Sequence, residues 1–225
     1  MSKGWFITGT DTGVGKTYFT TALLRHLRAQ GNDAVGFKPI CCGTREDSEA
    51  ICAASGGAAT IDEVNPVWLH PPAAPYSASI IEERPIDLAC IRAAFAKLRE
   101  RHASVIVEGA GGWLVPIHRD FSVADLAMEF ALPVVVVVQN RLGCLNHSLL
   151  TAESIRARGL VCAGFVLNHG LSASTRDPVA AAMHAVATTT NRAVLEEVSG
   201  LPVFCELNAD DDLPAEVAEL FMGAT

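Results

Sequence analysis

The run Leu132–Val138, which contains five consecutive valines, constrains the fold most strongly. It is far shorter than the roughly 20 apolar residues that a membrane helix needs. A continuous β-branched run of this length is typical of a strand that is buried on both faces. Half of all residues are hydrophobic and only 19% are charged, which also favours a sheet covered by helices on both sides.

Similar apolar runs alternate with amphipathic segments along the chain, the pattern of repeated strand–helix–strand units. We predict strands at Trp5–Thr8, Ala34–Lys38, Ser104–Glu108, Pro133–Val138, Cys162–Asn168 and Pro202–Leu207. We predict helices at Gly15–Gln30, Ile86–Arg101, Val123–Phe130, Leu145–Arg158 and near the C-terminus. The proline-rich segment Gly56–Arg84 is expected to be irregular. The fold class is therefore predicted as α/β, a doubly wound and mainly parallel sheet in one domain, residues 1–225.

Charge and cysteine content restrict the function. The net charge of −8 argues against nucleic-acid binding, which usually requires a basic face. No membrane span or signal peptide is evident. Seven cysteines without a CxxC pair favour reduced thiols over a zinc site. We expect a cytoplasmic enzyme that acts on small molecules.

The segment Gly9–Thr17, GTDTGVGKT, follows the first predicted strand and opens the first predicted helix. Small residues in such a loop let backbone N–H groups surround phosphate oxygens at a helix N-terminus. Lys16 is expected to reach the β- and γ-phosphates and Thr17 to bind magnesium. The usual first glycine of the pattern falls on Thr10, one place after Gly9. The alternative is a glycine-rich turn with a chance Lys-Thr pair.

A second glycine-rich segment, VEGAGGWLVP, contains Glu108 as its second residue, where a predicted strand ends. A carboxylate at the carboxyl end of a parallel strand points into the crevice where a nucleotide binds. Glu108 is therefore a magnesium candidate, because hard cations prefer carboxylate oxygens. The alternative is a tight turn with no ligand.

Three further features are ambiguous from the residues alone. Lys38 ends a strand in GFKPI and is either an active-site lysine or a surface lysine. Asp47 opens a helical stretch, where acidic residues are common without any function. Cys144, Leu145 and Asn146 lie at the start of a predicted helix, where their backbone N–H groups could bind an anion.

The segments GTDTGVGKT, GFKPI, VEGAGGW, RLGCLNH and FVLN occur here in the order and spacing found in dethiobiotin synthetases. The chain resembles that family over nearly its whole length. The resemblance implies a fold of the P-loop NTPase type and a homodimer whose site spans the interface. It implies an ATP- and Mg²⁺-dependent cyclo-ligase that carboxylates 7,8-diaminononanoate with CO2 or bicarbonate. The route is a carbamate and then a carbamic-phosphoric anhydride, which the second amine closes to dethiobiotin, ADP and phosphate.

The same resemblance implies the site residues. The catalytic residues are Lys16 and Lys38, and the magnesium ligands are Thr17, Asp47 and Glu108. The ATP-binding residues are Gly13, Val14, Gly15, Lys16, Thr17, Tyr18, Asp47, Glu108, Gly109, Ala110, Gly111, Asn168, Asn208, Ala209 and Asp210. The substrate-binding residues are Thr12, Lys38, Cys42, Cys144, Leu145 and Asn146, the last three contacting the substrate tail from the other subunit.

The chain departs from the family pattern at several of these positions. Cys42 stands where serine is frequent, His169 follows Asn168 where aspartate is frequent, and the segment Asn208–Asp210 lacks a proline of the family's adenine edge. Glu49 is an alternative to Asp47 as the acidic ligand.

Two other functions remain open at this stage. One is a dimerising nucleotide-switch ATPase like ParA or MinD, and the other is a small-molecule kinase. Switch ATPases carry a second lysine in the phosphate loop, where this chain has Asp11. That opposite charge argues against the switch function.

Overall fold

The computed structural model describes residues 3–170, 178–208 and 213–223. The strands are β1 Lys3–Gly9, β2 Ala34–Phe37, β3 Ile40–Cys42, β4 Val67–Leu69, β5 Ser104–Glu108, β6 Pro116–His118, β7 Phe121–Ser122, β8 Val134–Gln139, β9 Cys162–Gly170 and β10 Val203–Asn208. The helices are α1 Lys16–Ala29, α2 Glu46–Ala54, α3 Ile61–Val64, α4 Pro75–Ile81, α5 Leu88–Arg101, α6 Val123–Phe130, α7 Cys144–Ala157, α8 Pro178–Ser199 and α9 Ala215–Gly223.

Six strands form one parallel sheet in the order β10-β9-β8-β1-β5-β2. The valine run forms β8, and its five valines are completely buried, as the sequence predicts. The predicted α/β fold with a mainly parallel sheet is confirmed. Since parallel strands end at the same edge of a sheet, this edge is where a ligand site is expected.

Helices cover both faces of the sheet. Successive side chains of a strand point to opposite faces, and the neighbouring residues Trp5 and Phe6 of β1 contact the helices on the two faces of the sheet. The Trp5 ring lies 4.7 Å from the ring of Phe221 in α9, whereas the Phe6 ring lies 6.5 Å from that of Phe130 in α6. None of the helices that the structure describes is both long and apolar enough to cross a membrane.

The six predicted strands all exist, and their ends agree with the prediction within about two residues, the usual uncertainty of such boundaries. The expectation of an irregular Gly56–Arg84 segment was wrong, because this segment contains α3, β4 and α4. Pro75 is the first residue of α4, a position where the missing N–H of proline costs no helical hydrogen bond. Helix α8 was not predicted.

A small second sheet lies next to the main sheet. It supports the edge at which the parallel strands end, where a ligand site is expected. Strands β3 and β4 pair in parallel, with Cys42 opposite Leu69. The N–H of Lys38 donates to the carbonyl of Val64 at 2.8 Å, and the N–H of Gly43 donates to the carbonyl of Leu69 at 2.9 Å. The segment from Lys38 to Gly43 is therefore held along its length by the chain between α3 and α4.

Candidate active site

The phosphate loop connects β1 to α1 at the carboxyl edge of the sheet. Gly13 and Gly15 have φ angles of 72° and 95°, in the left-handed region that favours glycine. A side chain on Gly9 would lie 2.7 Å from Val14 Cγ2, so this earlier glycine supplies the space that the usual pattern places one residue later. The Lys16 ammonium curls back and donates to the carbonyl of Asp11 at 2.9 Å.

Asn168 lies directly beneath this loop. Its amide nitrogen donates to the carbonyl of Val14 at 2.9 Å, and its amide oxygen accepts from the N–H of Gly170 at 3.0 Å. A Cβ atom on Gly15 would lie only 1.9 Å from the Asn168 nitrogen. Because a side-chain amide has two N–H donors and two acceptor lone pairs, each amide atom of Asn168 keeps one for a further partner.

The glycine turn after Glu108 lies beside the phosphate loop. A Cβ atom on Gly111 would be 3.4 Å from Thr12 Oγ1, and one on Gly112 would be 3.5 Å from the carbonyl oxygen of Gly9. Gly111 has a φ angle of 65°. The two glycine-rich turns that the sequence analysis singled out therefore face each other at the same edge of the sheet. A ligand at this edge meets both turns.

Lys38 and three oxygen-bearing side chains form a charged cluster below these turns. The Lys38 ammonium lies 2.5 Å from Glu108 Oε1 and 3.2 Å from Asp47 Oδ2. The Thr17 hydroxyl donates to Glu108 Oε1 at 2.8 Å. Lys38 and Glu108 are buried, whereas the Asp47 side chain is 52% exposed. The structure thus brings together Thr17, Lys38, Asp47 and Glu108, and Lys38 is not a surface lysine.

Burial and neighbouring charges act differently on the two lysines. Burial, followed by the nearby charge of Lys38, lowers the pKa of Lys16 to about 8. Burial also acts to lower the pKa of Lys38, but the charges of Glu108 and Asp47 outweigh it and raise that pKa above its ordinary value. The raised pKa of Lys38 keeps its ammonium charged, whereas the lowered pKa of Lys16 lets it lose its proton more readily than an ordinary lysine.

The donor set of the cluster fits magnesium. Glu108 Oε2 is buried and has no hydrogen-bond partner among the described residues, which leaves a carboxylate oxygen available to a cation. Within the described residues no group of three His, Cys, Asp or Glu side chains could hold a metal alone. Mg²⁺ usually takes one or two protein carboxylates and completes its shell with water and phosphate oxygens, and Asp47 and Glu108 are carboxylates of this kind.

A cavity of about 380 Å³ opens next to Lys38. Its polar side is formed by Thr12, Lys38 and Asp47, and its apolar side includes Ile40 and Val115. Cys42 also lines the cavity, and burial raises the pKa of its thiol to about 11, so Cys42 is a neutral wall residue at physiological pH. Ala110 and Gly111 complete the side that adjoins the phosphate loop.

The cavity has a further wall that the sequence analysis missed. Pro72, Ala73, Ala74 and Pro75 close it on the side of α4. A Cβ atom on Gly43 would lie 3.2 Å from Pro72 Cβ, so the proline segment packs tightly on the chain that follows Cys42. The sequence did carry a signal for this wall, namely a short apolar segment that is rich in proline and lies between two regions with candidate site residues.

The three residues at the start of α7 do not line this cavity. Cys144 is buried, Leu145 is half-buried and Asn146 is exposed. A second groove of about 450 Å³ lies between the Trp113–Pro116 segment and α7, and it shares Val115 with the Lys38 cavity. Within one chain, the residues expected to bind the substrate tail are therefore apart from Lys38.

The other end of the nucleotide-binding edge is formed by β10. The Tyr18 hydroxyl donates to the carbonyl of Asn208 at 3.4 Å, which brings these two predicted ATP-binding residues together. Ala209 and Asp210 lie outside the described residues. His169 contacts Glu206 Oε2 at 2.8 Å and so belongs to a polar contact with β10.

Comparisons with known proteins identify the family. A family model described as an AAA domain matches residues 3–217. The ATP-dependent dethiobiotin synthetase BioD of Akkermansia muciniphila is 40% identical over 205 residues, covering 91% of this chain and 92% of that protein. The synthetase of the same name from Aromatoleum aromaticum is 45% identical over 174 residues, covering 74% and 77%.

A solved structure shows the same fold at low identity. The septum site-determining protein MinD from Pyrococcus horikoshii, in complex with Mg-ADP, superposes with a TM-score of 0.56 at 15% identity, covering 98% of this chain and 86% of that one. At this identity the likeness concerns the fold alone, a P-loop NTPase fold. The extensive sequence identity to the synthetases is what decides the family: this chain is a member of the ATP-dependent dethiobiotin synthetase family.

Proposed function

We propose that this chain, acting as one domain over residues 1–225, is an ATP-dependent cyclo-ligase that converts 7,8-diaminononanoate and CO2 to dethiobiotin. The observation that carries the proposal is the placement of Lys38. Its ammonium is buried between Glu108 and Asp47 and borders a cavity that also touches Thr12 of the phosphate loop and Gly111 of the glycine turn. A cation between a substrate-sized cavity and a triphosphate site is what carbamate phosphorylation requires.

The nucleotide would bind along the carboxyl edge of the sheet. Backbone N–H groups of Gly13, Val14 and Gly15 would surround the phosphates at the start of α1, and Lys16 would neutralise their outer oxygens. Tyr18 and the turn Gly109, Ala110 and Gly111 would border the nucleotide. The remaining hydrogen-bonding capacity of Asn168 would read the base, with Asn208, Ala209 and Asp210 at its edge.

The residues of the cavity would position the diamine for three steps. One amine adds to CO2, forms the C–N bond and loses a proton, which gives a carbamate. An oxygen of the carbamate then attacks the γ-phosphate, so the bond to the ADP oxygen breaks and a carbamic-phosphoric anhydride forms. The second amine attacks the carbamate carbon and gives up a proton, the phosphate leaves and takes up that proton, and the ureido ring closes. Lys38 would neutralise the carbamate, Lys16 the migrating phosphoryl group, and Thr12 and Cys42 would contact the diamine.

Thr17, Asp47 and Glu108 would hold Mg²⁺, with Glu108 Oε2 as its buried anionic ligand. When bound, the ion neutralises phosphate charge and orients the triphosphate. A closed cavity wall from Pro72 to Pro75 would limit access of water to the mixed anhydride, which water would otherwise hydrolyse.

A homodimer would complete the site. Cys144, Leu145 and Asn146 are expected to bind the substrate tail, yet they do not line the Lys38 cavity of their own chain. Leu114 and Leu150 are 58% and 57% exposed and line the groove beside α7. Covering these leucines with a second copy would bury apolar surface and bring the partner's α7 start to the cavity.

Isotope labelling tests the function. The protein is incubated with Mg-ATP, the diamine and ¹³C-bicarbonate, and the products are analysed by mass spectrometry. We expect one labelled carbon in the cyclic product and phosphate release that requires both diamine and bicarbonate. A stable phosphorylated diamine would instead show a kinase, and ATP hydrolysis that is indifferent to the diamine would contradict the proposal.

A further inference from the structure

We propose that Arg45 is a positioning residue for Lys38 and Asp47, and that it acts through the buried amide of Asn65. This inference rests on the proposed function, because it assigns both residues to the ligase reaction. Arg45 immediately precedes α2, and Asp47 is in the first turn of that helix. The three residues Arg45, Asn65 and Trp68 are called the clamp below.

Asn65 is the centre of the clamp. It is 1% exposed, and its amide nitrogen donates to the carbonyls of Lys38 at 2.8 Å and Val67 at 2.9 Å. Both of its N–H groups are therefore used. One of them fixes the peptide of Lys38 itself, so a shift of Asn65 would shift the backbone from which the catalytic ammonium extends.

Arg45 reaches the other side of the same amide. Its Nε donates to Asn65 Oδ1 at 3.0 Å, and its terminal nitrogen donates to the Asn65 carbonyl at 2.8 Å. The terminal nitrogen also pairs with Asp62 Oδ1 at 2.8 Å. The planar guanidinium makes these bonds in a fixed fork, so the start of α2 is set in a defined position relative to Asn65.

Trp68 closes the clamp from the other side. Arg45 lies over its ring at 5.3 Å from the centroid, and the indole N–H donates to the carbonyl of Gly43 at 2.9 Å. The segment between Lys38 and Asp47 is thus held at its beginning by Asn65, in its middle by Trp68 and near its end by Arg45.

This arrangement matters because Asp47 is not positioned by burial. Its side chain is 52% exposed, so its distance of 3.2 Å from Lys38 depends on where α2 begins. A residue that aligns both groups would affect turnover more than folding, since displacing a reacting group by about 1 Å can cost roughly a hundredfold in rate.

Arg101 offers a matched control. Arg45 pairs with Asp62, whereas Arg101 pairs with Glu63, the next residue of the same short helix α3. Arg101 also donates to the carbonyl of Ala58, which precedes α3, and makes no contact with Asn65 that the structure describes. Loss of either arginine removes an ion pair to α3, but only loss of Arg45 removes the fork to Asn65.

The test compares the kcat of Arg45→Met, Arg45→Lys and Arg101→Met with that of the original chain. Arg45→Met is also introduced into the Asp47→Asn variant. We expect Arg45→Met to lower kcat by about tenfold to a hundredfold, with a smaller rise in KM for Mg-ATP. We expect Arg45→Lys, which keeps the charge but not the fork, to lie between Arg45→Met and the original chain, and Arg101→Met to stay within about twofold. In the Asp47→Asn background, Arg45→Met should lower kcat by a smaller factor than it does alone, because the part of its effect that passes through Asp47 is already lost and only the part through Lys38 remains.

Three outcomes would overturn the inference. The first is an unchanged kcat in Arg45→Met. The second is a loss of kcat in Arg101→Met as large as that in Arg45→Met. The third is a loss from Arg45→Met in the Asp47→Asn background that is as large as its loss in the original chain. If Arg45→Met fails to fold, Arg45→Lys carries the same comparisons. The gain in ATP affinity on adding Mg²⁺ is measured as well and should shrink in Arg45→Met. That binding readout tests the clamp even if the unsubstituted chain makes no cyclic product, a result that would contradict the proposed function alone.

Discussion

Among single residues, Lys38 and Glu108 depend on each other for stability. Both are buried, and their charged atoms are 2.5 Å apart. Removing one partner of a buried ion pair leaves an uncompensated charge, which typically costs about 3–5 kcal/mol. The role of Lys38 in the reaction and its role in folding must therefore be separated in any mutational test.

We predict that Lys38→Met loses turnover by orders of magnitude and also lowers the free energy of unfolding by about 3 kcal/mol in the absence of metal. The double variant Lys38→Met/Glu108→Gln should regain most of that stability and remain inactive. Urea unfolding with a chelator present measures the stability. An unaltered unfolding midpoint for Lys38→Met would contradict the ion pair.

Lys16 leads to a second prediction, on proton uptake. Burial lowers its pKa to about 8 in the ligand-free chain, and phosphate charge beside the ammonium should raise it again. Nucleotide binding should thus take up close to one proton at about pH 9 and almost none from Lys16 below about pH 7, where the lysine is already charged. Calorimetry in buffers with different ionisation enthalpies measures this uptake.

Lys16→Arg is the control for this experiment. An arginine keeps its proton throughout this range, so uptake at about pH 9 should vanish while some nucleotide affinity remains. Equal uptake by the original chain and by Lys16→Arg would show that another group titrates.

The identities of the site residues were easier to predict from the sequence than the tertiary contacts that hold these residues in place. Thr17 and Glu108 could be singled out from their glycine-rich motifs, whereas Lys38 and Asp47 were ambiguous from the residues and were assigned through the family resemblance. The clamp could not be singled out, because Asn65 acts through a hydrogen bond to a backbone carbonyl 27 positions away along the chain. Such contacts depend on the tertiary fold and leave no local pattern.

At the scale of elements, the edge strand β2 is protected by α2. The N–H of Gly36 donates to Ser55 Oγ at 2.9 Å, and the Ser55 hydroxyl donates to the carbonyl of Ile51 at 2.8 Å. Gly36 has no room for a side chain, since a Cβ would lie 2.2 Å from Ile51 Cγ2. A helix that packs this closely on the strand excludes water, so the strand's N–H depends on Ser55.

We predict that Ser55→Ala lowers the free energy of unfolding by about 1–3 kcal/mol, because a buried N–H loses its acceptor. Ser79→Ala is the control. Ser79 is also buried, but its hydroxyl only donates to the carbonyl of Tyr76 in its own helix. Chemical denaturation of both variants measures the difference, and equal losses would contradict the role of Ser55.

Elements were predicted well where periodicity or burial is strong and poorly where elements are short. β8 follows from its valines alone. The short elements β4 and α4 were missed, because prolines indicate loops when their position relative to a helix start is unknown. The conformation of β4 is fixed by its pairing with β3, and that of α4 by its place in the wall of the cavity. The conformational propensities of the local sequence encode neither contact.

At the scale of the whole molecule, the proposed dimer makes a testable statement about surface leucines. We predict that Leu150→Glu shifts the chain from dimer to monomer and lowers turnover, because a charge in the groove beside α7 opposes apolar contact. Analytical ultracentrifugation measures the mass.

Val161→Glu is the control for this substitution. Val161 is 65% exposed and precedes β9, at the edge of the sheet opposite the site, so its replacement should change neither mass nor turnover. A dimer that persists in Leu150→Glu would place the contact on another surface.

The space left by the missing side chain of Gly15 is filled by the amide of Asn168, so the end of β9 and the phosphate loop move as one rigid unit. Engineering the enzyme towards another nucleobase by exchanging Asn168 would therefore also withdraw the support under that loop. Base selectivity and triphosphate affinity should change together in such variants, and a compensating change would have to be sought at position 14 or 15.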